Sequence, residues 1–183
     1  MEERLDPKEA IALKHLSIDL TGVVDERMLD TVRRLSFHSK QSLEILILSM
    51  EHYNQVLELD TLLPVLKKLH LFGMWDINSL PIMPMLSELV MGNCTLNNLQ
   101  IEELKCLKIL KILGCHFTII CIHHEKLDLF QFKLGRHRLN DGDLRVNIGS
   151  IERMILDEST PPYGQDLTLF KGLKMAKNRS LPT

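Results

Sequence analysis

The sequence predicts an α/β solenoid, in which a stack of similar units each contributes one strand to a common sheet. One observation is a spacing, apolar-x-x-apolar-x-apolar, that returns at intervals of roughly twenty residues. Another is that the segments between these stretches are long enough for helices or loops. The third is that 45% apolar and 25% charged residues over 183 positions are typical of one soluble globular domain. A unit of this size cannot bury its apolar side alone, so its neighbours must cover it.

The repeated stretches account for most of the predicted strands. In an alternating strand, the apolar positions of the spacing point inward and the residues between them point outward. Farther along, residues 144–148 alternate as a strand does, and residues 151–156 resume the repeat. We therefore expect seven or eight strands. The six leading stretches, the last of them a loose match, are Leu13/Leu16/Ile18, Leu43/Leu46/Leu48, Leu66/Leu69/Leu71, Leu86/Leu89/Met91, Leu107/Leu110/Ile112 and His124/Leu127/Leu129.

The segments between the strands differ in length, and the longest is predicted to be a helix. Asp25 is placed to cap its start. Later connectors such as 55–63 and 96–105 hold about two helical turns each. The residues on the apolar face of the long helix are Met28, Leu29, Val32 and Leu35.

The repeats also set the predicted domain boundaries. Residues 1–158 form one repeat domain, and residues 159–183 form a C-terminal capping segment and tail. Pro161, Pro162 and Gly164 interrupt the pattern at this boundary.

Composition excludes several classes of protein. A net charge of −2 argues against a strong general attraction to nucleic acid or to anionic membranes. The chain has no apolar run of the ~18 residues that a membrane-spanning helix needs, and no apolar run follows its charged start. Four cysteines and nine methionines favour a reducing compartment, so the cytoplasm or the nucleus is expected.

No motif indicates catalysis or a bound cofactor, and we expect the protein not to be an enzyme. The nucleophile elbow, the zinc-protease helix and the glycine-rich phosphate loops are all missing from the sequence. One cluster invites a zinc interpretation, but it lacks a close cysteine pair and a matching histidine pair. We therefore expect structural cysteines and no metal there. The cluster consists of Cys106, Cys115, His116, Cys121, His123 and His124.

Two units, residues 86–96 and 107–117, carry a longer pattern that ends in Cys94-x-Leu96 and Cys115-x-Phe117. This pattern resembles that of the leucine-rich repeats, L-x-x-L-x-L-x-x-N/C-x-L, over residues 13 to 156. The resemblance implies a curved parallel sheet on the concave side, with irregular helices or loops on the convex side. Similar irregular repeats occur in F-box leucine-rich-repeat proteins, which present substrates to ubiquitin ligases. The other units depart from the pattern, with Thr21, Glu51, Met74 and Phe132 at the asparagine/cysteine position.

The outward positions of the strands supply the candidate functional residues. Strands that face water should alternate apolar with polar residues, yet this outward set is rich in apolar side chains. A continuous apolar patch needs a cover, either a partner peptide or helix or the chain's own segment around residues 167–170. The candidate partner-binding residues are Ile45, Ile47, Lys68, His70, Phe72, Val90, Ile109, Lys111, Leu113 and Phe130.

The sequence thus favours a non-catalytic protein-interaction module, which acts as an adaptor, a scaffold or a substrate-recognition subunit. An alternative is a nucleic-acid-associated protein that uses the basic cluster across residues 133–153 and the basic tail. In that case Arg136, Arg138 and Arg145 are the candidate phosphate-binding residues. Homodimerisation through the concave face is a third alternative.

Overall fold

The molecule is a solenoid built mostly from parallel strands, with one helix in the part of the chain that the structure describes. The computed structural model describes residues 12–20, 26–56, 62–77, 79–97, 99–117, 119–134 and 143–157. Every strand pairing among these residues is parallel. The elements are β1 (His15–Leu20), α1 (Glu26–His38), β2 (Ile45–Val56), β3 (Lys68–Ile77), β4 (Glu88–Gly92), β5 (Thr95–Leu96), β6 (Leu99–Gln100), β7 (Ile109–Phe117), β8 (Ile119–Leu134) and β9 (Asp143–Asp157).

Seven of these strands lie side by side through the repeats, in the order β1-β2-β3-β4-β7-β8-β9. Successive units are aligned residue by residue, so that Leu46 pairs with Leu69 and Leu69 pairs with Leu89. The predicted solenoid is therefore confirmed, and like positions of the repeat stack directly on one another.

The inward leucines of the repeat form one continuous core. Leu46, Leu69, Leu89 and Leu110 are fully buried in neighbouring strands. A leucine side chain that is fully buried stabilises the fold by about 1.5–3 kcal/mol relative to an exposed one. The connecting segments close the other side of the core with buried residues that include Leu63, Ile77, Met83, Leu96 and Ile101.

The predicted register of the sixth unit is wrong. Leu110 pairs with Phe130, and Ile112 pairs with Phe132, so the unit is Leu127/Phe130/Phe132 rather than His124/Leu127/Leu129. Phe130 and Phe132 fill the inward positions, and Leu129 points outward between the inward residues Leu127 and Phe130. The assignment of Phe130 to the partner-binding face is accordingly wrong, because its side chain is completely buried in the core.

Of the connectors predicted to be helical, one is a helix, one is not, and 55–63 lies largely outside the described residues. Helix α1 is present, with Val32 buried and Leu35 packed against the core. Asp25 lies outside the described residues, as do the side chains of Met28 and Leu29. The region from 96 to 105 contains the short strands β5 and β6 instead of a helix.

Strands replace helices there because neighbouring connectors pair with each other. Leu99 pairs with Ile120, which pairs with Leu144 in β9. The backbone N–H and C=O groups of these connectors form hydrogen bonds with neighbouring units. They therefore do not need the hydrogen bonds of a helix. The expected α/β composition is therefore corrected to a mostly β solenoid.

Positive backbone angles occur at two glycines within the central strands. Gly73 of β3 has a φ of 97° and Gly114 of β7 a φ of 65°. A Cβ atom at Gly73 would lie 1.5 Å from the carbonyl oxygen of Met50, so no other residue fits there.

The predicted capping segment and tail at 159–183 lie outside the described residues. Within the described part of the chain, no helix has both the length and the apolar character needed to cross a membrane.

Candidate functional site

The candidate site is the outer face of the sheet, formed by the residues that alternate with the core leucines. Three rows of residues cross this face, each with one residue from each of the seven strands. The first row is His15, Ile45, Lys68, Glu88, Ile109, Leu129 and Arg153; the second is Ser17, Ile47, His70, Val90, Lys111, Gln131 and Ile155; the third is Asp19, Ser49, Phe72, Gly92, Leu113 and Lys133, and it ends at the backbone of Asp157, whose side chain is not described.

The structure brings all the predicted partner-binding residues except Phe130 to this face. Sequence reasoning missed Leu129 and Ile155, which also lie on it. The signal for Leu129 was present, because the spacing Leu127/Phe130/Phe132 leaves Leu129 between two inward positions. Ile155 was hidden because it lies in an apolar run between Met154 and Leu156.

Each of the six strands from β2 to β9 on the outer face contributes at least one apolar side chain. Val90 is buried, with 5% of its surface exposed, and the others are half-buried. Strand β1 contributes the exposed polar residues His15, Ser17 and Asp19, which end the apolar area on that side. We call this area the apolar patch; it consists of Ile45, Ile47, Phe72, Val90, Ile109, Leu113, Leu129 and Ile155.

Phe72 is held in place by a glycine on the neighbouring strand. A Cβ atom at Gly92 would lie 2.7 Å from Cδ1 of Phe72, so the ring occupies the space that a side chain would fill. The ring of His70 meets the ring of Phe72 edge to face, with centroids 6.3 Å apart. Phe72 is thus a positioned aromatic side chain, the type of residue that most often anchors a protein partner.

Glu88 has two basic neighbours at the edge of the patch. Its carboxylate lies 3.1 Å from Nζ of Lys68 and 3.1 Å from Nε2 of His70. Burial raises the pKa of Glu88, but the hydrogen bonds and charges of Lys68 and His70 together hold it below its ordinary value. Glu88 is therefore ionised at neutral pH, and its oxygens are engaged by side chains of the same face.

Lys111 is the cation nearest the centre of the patch. It lies between Val90 and Gln131 in the second row, and between Ile109 and Leu113 along β7. Among the described residues, no ion pair joins Lys111 to an acidic side chain. The patch therefore surrounds one half-buried lysine residue.

Comparison with known proteins identifies no relative of this chain. No family model matches the chain. Searches of curated proteins and of solved structures gave no significant match either. The function of the chain is therefore inferred from the residues of its outer face.

The two central cysteines form equivalent hydrogen bonds in successive units. The thiol of Cys94 donates to the carbonyl of Leu71 at 3.5 Å, and that of Cys115 donates to the carbonyl of Met91 at 3.4 Å. Both side chains are buried, as the repeat pattern predicts. A hydrogen bond with Cys94 lowers the pKa of the Cys115 thiol, and burial opposes this effect.

The remaining members of the cysteine and histidine cluster are dispersed. Cys106 is exposed and Cys121 half-buried. Nδ1 of His123 lies 3.1 Å from the amide nitrogen of Asn147, and Nε2 of His124 contacts the carbonyl of Leu104 at 3.0 Å. Across the described ranges, no three histidine, cysteine or acidic side chains are close enough to hold a metal ion.

The candidate phosphate-binding residues are only partly placed. Arg136 and Arg138 lie outside the described residues. Arg145 pairs with Cys121 at the start of β9, before the part of that strand that reaches the outer face, and its side chain is not described. Of the basic cluster, Lys133 and Arg153 are on the outer face, in different rows of neighbouring strands.

Proposed function

We propose that this chain is a non-catalytic protein-interaction module of the leucine-rich-repeat type, which binds a peptide or helix of another protein along its outer face. The observation that carries the proposal is the apolar patch. In a strand with one face in water, apolar inward residues alternate with polar outward residues. Here all three outward rows contain apolar side chains. A continuous patch of this kind marks an interaction site in a protein.

The composition of the face supports a protein partner. Its apolar centre contains the fixed aromatic ring of Phe72, and charged residues such as Lys68 and Glu88 stand beside it. Protein interfaces have this arrangement, in which a desolvated apolar core gives the affinity and polar neighbours give the orientation.

Two features support the leucine-rich-repeat type. The leucine triplets line the core of a parallel sheet. Cys94 and Cys115, at the asparagine/cysteine position, each donate to a carbonyl of the preceding unit, which ties successive units together. Within this proposal, substrate recognition for a ubiquitin ligase is a narrower version, which copurification with ligase components would test.

The proposal is tested with a phage library that displays 16-residue segments tiling the proteome of the source organism. Ile47→Asp places a charge on the β2 side of the patch, and the matched control Ile82→Asp changes an isoleucine that is 62% exposed on a connector. We expect segments that bind the wild type and the control, and that bind Ile47→Asp about tenfold more weakly, a loss of ~1.4 kcal/mol.

Thermal unfolding of the free variants completes the test. Ile47→Asp should unfold cooperatively near the wild-type temperature. If it does not fold, Ile47 belongs to the core and the interaction face is refuted. Selected segments that bind all three proteins equally would refute it as well.

A further inference from the structure

The charge of Lys111 determines what kind of segment fits the outer face. Its neighbours in the row and along the strand are Val90, Gln131, Ile109 and Leu113, none of which is charged. A partner that covers these residues also removes water from the ammonium group. An unpaired charge that loses its water is strongly disfavoured, whereas a charge that meets a carboxylate is tolerated or favourable.

The acidic residues of the face do not meet this need. Glu88 lies one strand away and one row apart, where Lys68 and His70 already contact both of its oxygens. Asp19 is exposed on β1, the edge strand of the described sheet. Among the described residues, no acidic side chain therefore pairs with Lys111, and we expect its acidic group to come with the partner.

We propose that the partner is a segment of another protein in which one aspartate or glutamate is flanked on both sides by apolar residues. This inference depends on the proposed function and specifies its ligand. The carboxylate pairs with Lys111, and the flanking residues contact Phe72 and Val90 on the β4 side and Leu129 and Ile155 on the β8 side. Adjacent strands are about 4.8 Å apart, so a short segment spans all of these positions.

The test is a charge swap between the chain and a selected segment. A fluorescently labelled synthetic peptide, chosen from the library hits that Ile47→Asp weakens, is titrated with the full chain and its anisotropy is measured. Lys111→Glu should weaken binding at least tenfold. Replacing the acidic residue of the peptide by lysine should weaken binding to the wild type and restore binding to Lys111→Glu.

The matched control is Lys108→Glu. Lys108 is an exposed lysine that precedes β7 and lies outside the three rows, so this change should leave the affinity for the peptide unchanged.

The outcomes separate this inference from the proposed function. Peptides that depend on Ile47 but are indifferent to Lys111→Glu overturn the acidic ligand and leave the interaction face intact. If no segment depends on Ile47, both proposals fail.

Two other occupants give distinct results, and each would overturn the proposal. A second copy of the chain would produce a dimer that Lys111→Glu dissociates in sedimentation. The chain's own segment Asp166-Leu167-Thr168-Leu169-Phe170 has the same acidic and apolar character. If it occupied the face, Asp166→Asn would tighten peptide binding to the full chain.

Discussion

Phe72 and Gly92 illustrate how one residue fixes another on the outer face. Gly92 does not have the positive φ that Gly73 and Gly114 have, so backbone conformation does not explain this glycine. Its role is to leave room for the ring of Phe72, which lies closer than a Cβ atom would allow. The sequence alone does not reveal that the ring of Phe72 fills this space.

Gly92→Ala should therefore displace the ring of Phe72. We expect overpacking to cost about 1–3 kcal/mol of stability and the loss of the anchor to weaken peptide binding. In a Phe72→Ala background the same change should cost much less, because the clash is gone. Urea unfolding of the four proteins measures the coupling, and additive effects would show that the two residues do not contact each other.

Glu88 predicts a specific dependence of stability on pH. Its pKa is lower in the folded state than its ordinary value of 4.5, so its pairing stabilises the fold above that pH and is lost as the pH falls through the folded value. The stability advantage of the wild type over Glu88→Gln should be constant at neutral pH and shrink below pH 4.5. Chemical unfolding at several pH values measures it, and a difference independent of pH would show that Glu88 is unpaired.

At the scale of elements, β8 shows where sequence reasoning succeeds and where it fails. Leu43, Leu66, Leu86 and Leu107 open units whose leucines define the inward face without ambiguity. In β8 both Leu129 and Phe130 are apolar, and the pattern of leucines alone selects the wrong one. The register of β8 is instead set by its pairing with β7, in which Leu110 pairs with Phe130 and Ile112 pairs with Phe132.

The register of β8 makes opposite predictions for two adjacent residues. Phe130→Ala should cost about 3–5 kcal/mol, because a completely buried ring leaves a cavity. Leu129→Ala removes a half-buried side chain from the apolar patch, so it should cost less stability and weaken peptide binding more. Equilibrium unfolding and anisotropy titrations of both variants check this, and the reverse order would restore the register with Leu129 inward.

The connectors explain the other part of the fold that the sequence did not predict. Helix α1 was predictable because Val32 and Leu35 share one face of a long segment. Residues 96–105 are too few for a stable helix of their own, and Thr95–Leu96 and Leu99–Gln100 instead pair with neighbouring units. Such pairing depends on residues about twenty positions away, which local periodicity does not report.

At the scale of the whole molecule, the outer face was predictable because it follows from the core. Once the inward leucines are assigned, alternation places Ile47, His70 and Lys111 outward and in one row. The contacts across the rows were not predictable, such as the pairing of Glu88 with Lys68 and His70. They depend on the residue-by-residue alignment of strands, which the uneven spacing of the repeats obscures.

The dependence of binding on salt distinguishes a protein ligand from the nucleic-acid alternative. The chain has a net charge of −2, and its outer face combines apolar and polar side chains with Lys111 near the centre of the apolar patch. A ligand that neutralises a single lysine should lose less than about threefold in affinity between 50 and 200 mM salt, since six to ten phosphate contacts are needed for losses of roughly 10³–10⁵.

The measurement compares a selected peptide with a 20-nucleotide single strand over that salt range. We expect the peptide to show the shallow dependence and to lose affinity in Ile47→Asp. The oligonucleotide should bind weakly at all salt concentrations and be indifferent to Ile47→Asp. Tight oligonucleotide binding that falls steeply with salt and is reduced by Arg153→Ala would instead assign the outer face to nucleic acid, because Arg153 is an exposed cation in its first row.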